Sequence, residues 1–239
     1  MAEAAINALD RHDMLLISQV GRTRIFERFE LRHAPHEQRI LRAILLPPPG
    51  DCGAPGIVRR CDEQREGIPV GFVHSDSADG RRFRLAAHVF THEVECAVSP
   101  YELMRSGFCP VHPESASGRA LLEIMEVCAG FDDMVGLIGS AAMELLTGIP
   151  YLTSASDLDF LVRGRNLEEV SARCKELHLI GLKHGVAIDV EISLANGYGV
   201  KAAELFSKSK NVLGKSLRDV RLLERREIER AFAEISRYD

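Results

Sequence analysis

The run Ser156-Asp157-Leu158-Asp159-Phe160-Leu161-Val162 sets two carboxylates two positions apart among apolar residues. A strand alternates its faces with period two, so Asp157 and Asp159 are expected on one face and Leu158 and Phe160 on the other. Like charges at adjacent positions of one face repel unless a cation lies between them, and hard carboxylate oxygens suit Mg²⁺. A D-x-D pair also arises by chance, so its surroundings decide its meaning. Gly139-Ser140 stands eighteen positions before Asp157, after the apolar run Val135-Gly136-Leu137-Ile138. A strand-to-helix junction there presents backbone N–H groups and the positive end of a helix dipole, which favours phosphate. Glycine permits close approach, and Ser140 can either cap the helix or donate to a phosphate oxygen. Ile188-Asp189-Val190-Glu191-Ile192 supplies further acids on one face of a second strand, so that Asp189 or Glu191 could join the first pair. Together the three segments describe a two-metal phosphoryl-transfer site.

The flanking sequence gives the elements that must hold these residues. Leu121, Leu122, Ile124, Met125 and Cys128 recur at helical spacing, predicting a helix over 115–128. A helix over 140–147 follows the 135–138 strand and is stopped by Gly148 and Pro150. Next come a strand over 157–162, a helix over 167–179, a strand over 187–192 and a final charged helix over 217–237. Ahead of these, the chain reads as mixed and strand-rich. Residues 68–73 and 83–89 form a hairpin around a polar spacer, and the three prolines of 47–49 open a surface loop that runs to Gly56. Pro100, Gly107, Pro110 and Pro113 mark a connection, and the domain boundary is placed near residue 113. The expected fold class is α+β with two domains. A small strand-rich domain over 1–113 precedes a domain over 114–239 in which helices flank a mixed sheet.

Composition sets the limits. The 239 residues are 46% hydrophobic and 27% charged, enough for one large or two modest globular domains. A net charge of −5 argues against a broad surface for nucleic acid or anionic lipid. No apolar run reaches the roughly 20 residues of a membrane span, and the N-terminus carries acids where a signal peptide would carry bases, so the cytoplasm is expected. Cysteines 52, 61, 96, 109, 128 and 174 form no C-x-x-C pair and are expected as reduced, mostly buried thiols. His33 with His36 and His88 with His92 are suitably spaced for metal but lack a third ligand motif. Every lysine falls after Arg173, whereas the first 113 residues use arginine alone.

The order G-S, D-x-D and a later acid between apolar residues resembles the polymerase-beta-like nucleotidyltransferases. The longer pattern from Gly139 to Tyr151, followed by Ser156 to Asp159, resembles the malonate decarboxylase holo-acyl-carrier-protein synthases, or phosphoribosyl-dephospho-CoA transferases. Arg11-His12-Asp13, Ile57-Val58-Arg59-Arg60, Ile68-Pro69-Val70-Gly71 with Arg82-Phe83, Asn196 to Lys201, and Val212 to Lys215 with Val220-Arg221-Leu222 are similar as well. The chain departs from that pattern in having no tryptophan, with Met143 where an aromatic residue is usual and Val190 where glycine is usual.

The resemblance implies a nucleotidyltransferase-like second domain. It also implies transfer of phosphoribosyl-dephospho-CoA from its triphosphate precursor, 2'-(5''-triphosphoribosyl)-3'-dephospho-CoA, to a serine of the acyl carrier protein subunit of malonate decarboxylase, with pyrophosphate released. Asp157, Asp159 and Asp189 would be catalytic and hold Mg²⁺, with Glu191 as a further ligand. Gly139, Ser140, Arg59, Arg60 and Lys215 would bind phosphate, and Arg82 and Arg221 are further candidates. Two other readings keep the same acids: an enzyme that adenylylates a protein, small molecule or RNA end, and a non-catalytic binding module of the same fold.

Overall fold

The computed structural model describes residues 9–48, 53–60, 66–78, 81–129 and 134–235. The chain divides into two compact units, Met1–Ser99 and Pro100–Asp239.

In the first unit five antiparallel strands, β1 (Met14–Ile17), β2 (Gly56–Val58), β3 (Ile68–Ala78), β4 (Arg81–Val89) and β5 (Val94–Val98), lie in the order β4-β3-β2-β1-β5. The expected hairpin is β3 and β4, which pair from Ile68↔Val89 to Ala78↔Arg81, so both strands run into the polar spacer. Residues 79–80 at its tip lie outside the described residues. Two helices interrupt the strand-rich reading: α1 (Gln19–Glu30), capped by Ser18 Oγ on the Gly21 N–H at 3.3 Å, and α2 (Pro35–Leu45). Their buried Ile25, Phe26, Leu41, Ile44 and Leu45 build the core with Met14, Leu15 and Ile17. Part of the expected 46–56 surface loop is also inside. Gly53 to Pro55 are buried because Arg22, itself 6% exposed, donates to the carbonyls of Ile17 at 2.8 Å, Ala54 at 3.0 Å and Ile44 at 3.3 Å. Residues 49–52 of that loop lie outside the described residues.

The second unit holds a six-stranded mixed sheet of β6 (Val135–Ile138), β7 (Leu158–Val162), β8 (Ile188–Ser193), β9 (Gly199–Lys201), β10 (Asn211–Lys215) and β11 (Val220–Glu224), in the order β11-β10-β9-β8-β7-β6. The pairing of β7 with β8 is parallel, and the crossover this demands is α6 (Leu167–His184). This helix begins on Asn166 and ends at Gly185, φ 69°, one turn beyond the expected stop. It packs with α4 (Ala116–Cys128), and Leu121, Ile124, Leu177 and Ile180 are buried together with Leu137, Leu158, Phe160, Val190, Ile192, Val212 and Leu223 of the sheet.

Other expectations meet a different structure. The stretch read as a connection contains α3 (Pro100–Met104), which packs on β6 with Leu103 and Met104 buried and falls in the unit Pro100–Asp239. The final helix α7 covers only Arg225–Ile235. Val220 to Glu224 pairs instead with Lys215 to Asn211 as a hairpin edge, closed by the Ser216 N–H on the Asp219 carbonyl at 2.9 Å. Among the described residues four cysteines are free, and Cys96 and Cys109 are exposed rather than buried. No described helix is long and apolar enough to cross a membrane.

Candidate active site

The parallel pairing of β7 with β8 sets Asp159 opposite Asp189 and Leu161 opposite Glu191, and β9 sets Lys201 opposite Glu191. Residues paired across neighbouring strands share a face. Asp159, Asp189, Glu191 and Lys201 therefore meet on one side of the sheet, while Leu158, Phe160, Val190 and Ile192 fill the core on the other. The expected alternation holds from Leu158 onward. Asp157 stands one residue ahead of β7 and is exposed.

Gly139 belongs to the same place. It opens helix α5 (Gly139–Thr147) with φ +68°, a conformation that a side chain strains, and Ile138 beside it is paired with Asp159. A methyl group at Gly139 would lie 3.0 Å from Asp159 Cγ and 3.2 Å from its Cβ, so only glycine lets the carboxylate sit against the first turn. The N-cap position is taken by Ile138, whose side chain makes no cap, and Ser140 lies within the helix. Of the two roles open to Ser140, N-cap is therefore not the one adopted.

The approach to Asp157 is fixed by a residue that spacing alone did not single out. Glu144, on the inner side of α5 and 1% exposed, accepts from the backbone N–H of Val111, Tyr151 and Leu152, each at 2.9 Å. A lone glutamate inside the apolar run Ala141-Ala142-Met143-Glu144-Leu145-Leu146 was the available signal, because a carboxylate buried there must find donors. Beyond it, Thr153 and Ser156 close a turn through Thr153 N–H to Ser156 Oγ at 3.0 Å, and Leu158 N–H then joins the Ala187 carbonyl at 3.0 Å. Tyr101 of α3 covers the far end of the same face, donating to Ser193 Oγ at 3.2 Å beneath the Arg163 guanidinium, 4.0 Å above its ring.

The expected cations are distributed unevenly. Lys215 pairs in register with Gly199 and Val220 and so shares the acid face of the sheet. Arg221 points elsewhere: it donates to Tyr198 Oη at 2.8 Å, stacks on that ring and forms an ion pair with Glu227, which with Tyr198 holds the guanidinium pKa up. Arg59 and Arg60 follow β2, and Arg82 lies on β4, all in the first unit. Lys201 touches the acids directly. Its ammonium bonds Asp189 Oδ2, and that bond first, with the charges of Asp189, Asp159 and Glu191, raises its pKa against the opposing effect of burial. Its only earlier signal was its place at the end of the Asn196 to Lys201 segment.

Among the described residues no three His, Cys, Asp or Glu side chains converge closely enough to hold a metal ion as they stand. Asp189 shows one reason, because its oxygen is closed on Lys201. The donor chemistry matches a hard divalent cation: carboxylates on adjacent strands, about 4.8 Å apart across the sheet, with a helix N-terminus beside them. One histidine of each pair has another partner. His33 Nδ1 lies 2.9 Å from the Phe29 carbonyl, and His92 stacks on Phe90.

Comparison with known proteins gives a consistent set of relatives. Residues 106–226 match the family described as phosphoribosyl-dephospho-CoA transferase MdcG C-terminal domain. A phosphoribosyl-dephospho-CoA transferase of Xanthomonas euvesicatoria pv. vesicatoria is 35% identical over 176 residues, 72% of this chain and 80% of that protein. One of Pseudomonas syringae pv. tomato is 31% identical over 149 residues, 61% of this chain and 66% of that protein. One of Bradyrhizobium diazoefficiens is 32% identical over 87 residues, 36% of this chain and 38% of that protein. The chain thus spans just under two thirds of the Pseudomonas relative and well under half of the Bradyrhizobium one. No solved structure matches.

Proposed function

The chain belongs to the phosphoribosyl-dephospho-CoA transferase family, and from that premise we propose that it moves the phosphoribosyl-dephospho-CoA group from its 5''-triphosphate precursor onto a serine of the acyl carrier protein of malonate decarboxylase. The observation that carries this reading is the opposition of Asp159 and Asp189 on adjacent parallel strands with the Gly139 helix start against Asp159. A triphosphate needs a place for its charge, and a helix start beside paired carboxylates provides both halves of one.

In this reaction the serine Oγ forms a bond to the phosphorus nearest the ribose, and the bond from that phosphorus to the bridging oxygen of the next phosphate breaks. The serine proton passes to a carboxylate, and pyrophosphate leaves. Asp157, Asp159 and Asp189, with Glu191, would hold Mg²⁺, which when bound neutralises charge on the phosphate oxygens. Asp189 or Glu191 takes the serine proton, since each stands on the strand facing Asp159. Ser140 and the N–H groups of the α5 first turn hold the departing phosphates, and Lys215 adds positive charge on the same face.

The test is to incubate the full chain with Mg²⁺, the triphosphate precursor and the carrier subunit, and to weigh the carrier intact. The expected result is a carrier heavier by one phosphoribosyl-dephospho-CoA group on a serine. Labelling of a protein, nucleic acid or small molecule from ATP, with no mass gained by the carrier, would instead assign the acids to an adenylylating enzyme.

A further inference from the structure

Four acids, Asp157, Asp159, Asp189 and Glu191, lie on β7 and β8 or one residue before them, and the ammonium of Lys201 reaches into the group to bond Asp189. We propose that Lys201 is an exchangeable counter-ion of this site: it holds Asp189 until a divalent cation takes that carboxylate, and then turns to an oxygen of the bound triphosphate. The proposal rests on the reading of these acids as metal ligands.

Its position supports the exchange. The register puts Lys201 opposite Glu191, two residues along β8 from the Asp189 to which its ammonium is bonded, so it lies between the two acids of that strand. With its side chain 45% exposed and that of Asp189 39% exposed, the pair is open to solvent on one side, and an incoming ion can displace the bond without unfolding anything. A divalent cation on Asp189 would occupy the oxygen that Lys201 now holds, and would repel the ammonium at the same time. The four-carbon stem of lysine lets the charge move several ångströms while the backbone of β9 stays in its ladder. Where it can go is set by what else is charged there: its neighbours across the sheet are Glu191, Asp189 and Asp159, the acids the metal would engage, so the remaining anion is the ligand itself. Arg221 cannot fill this role, because Glu227 and Tyr198 already hold its guanidinium.

The exchange couples the two ligands. Before the triphosphate arrives, Lys201 competes with the metal; afterwards it contributes to holding the phosphates. The experiment titrates Mn²⁺ into the full chain, following the free-ion signal by electron paramagnetic resonance. It then titrates inorganic tripolyphosphate into the Mn²⁺-saturated protein by calorimetry, for the wild type, K201M, K201Q and D159N. We expect K201M and K201Q to bind Mn²⁺ roughly fivefold more tightly than the wild type. The same variants should bind tripolyphosphate about tenfold more weakly. If both lysine variants leave the two affinities unchanged, or if they lose Mn²⁺, Lys201 is a fixed brace of Asp189 and the proposal is overturned while the metal reading stands. If D159N binds Mn²⁺ like the wild type, the metal reading itself is overturned, and the proposal with it.

Discussion

Single residues decide whether the acids can work together. Gly139 combines a left-handed φ with contact against Asp159. Gly139→Ala should therefore cost roughly 1–2 kcal/mol from the backbone alone and push the carboxylate away from the α5 start. Transfer to the carrier should fall by more than the loss of stability accounts for, as rate measurements beside urea unfolding would reveal. Asp159→Asn keeps the shape and removes the charge, so it should leave the circular dichroism spectrum unchanged and slow transfer by on the order of 10²-fold to 10³-fold. A transfer rate near the wild type in that variant would remove Asp159 from the catalytic set. These residues were legible in the sequence because their chemistry is local: a strand's alternation needs no partner to be read. Lys201 was not, because a lysine at the end of a short segment acquires its meaning only from the strand laid beside it.

At the level of elements, two buried carboxylates fasten segments that would otherwise be loose. Glu144 satisfies three backbone donors from either side of α5, including the two that begin the path to Asp157. Glu144→Gln keeps one acceptor oxygen and puts a donor where the other was, so unfolding should become easier by about 1–3 kcal/mol, read from the urea midpoint. In the first unit Glu93, 2% exposed, binds Arg24 of α1 at 2.5 Å and accepts from the Phe90 N–H at 2.8 Å. Burial acts to raise the Glu93 pKa, but the Arg24 bond, the Phe90 bond and the nearby positive charges outweigh it and hold the carboxyl below its usual value. A depressed folded-state pKa gives stability that is present above the unfolded value, about 4.3, and is lost as the pH falls through the folded one. Thermal unfolding followed from pH 6 to pH 3 should show a smaller loss at the acid end in Glu93→Gln than in the wild type, the variant being less stable at pH 6. The α1 helix that carries Arg24 was missed in the sequence, since Arg22 and Gly21 interrupt its apolar stripe and turn inward. Gly21 has no room for a side chain beside Glu93 and Ile17.

For the molecule as a whole, the division at Ser99/Pro100 makes a prediction that a boundary at 113 does not. Residues 100–239 keep α3, whose Pro100 and Tyr101 lie against Gly136, and keep Val111 on Glu144. Residues 114–239 lose all of these contacts and expose the surface that Leu103 and Met104 cover. Produced separately, the longer fragment should unfold in one cooperative urea transition. The shorter should unfold at a markedly lower midpoint or fail to fold, and equal midpoints would place the boundary at 113 after all. The prolines that mark the 99–117 stretch are real punctuation, but they break helices and strands without saying on which body the pieces lie.

What the sequence determined by itself was local. It showed which positions alternate, where helices over 115–128 and 140–147 begin and end, and that G-S, D-x-D and h-D-h segments occur in the order a phosphoryl-transfer site uses. Tertiary structure decided what depends on pairing between distant segments. The register that sets Asp159 opposite Asp189, the strand over 220–224 where charge spacing predicted helix, and the seat of Lys201 on Asp189 all require β7, β8, β9, β10 and β11 to be laid side by side. A hydrogen-bonded ladder takes its partner from the folded sheet, and periodicity along one strand carries no record of which neighbour it will meet.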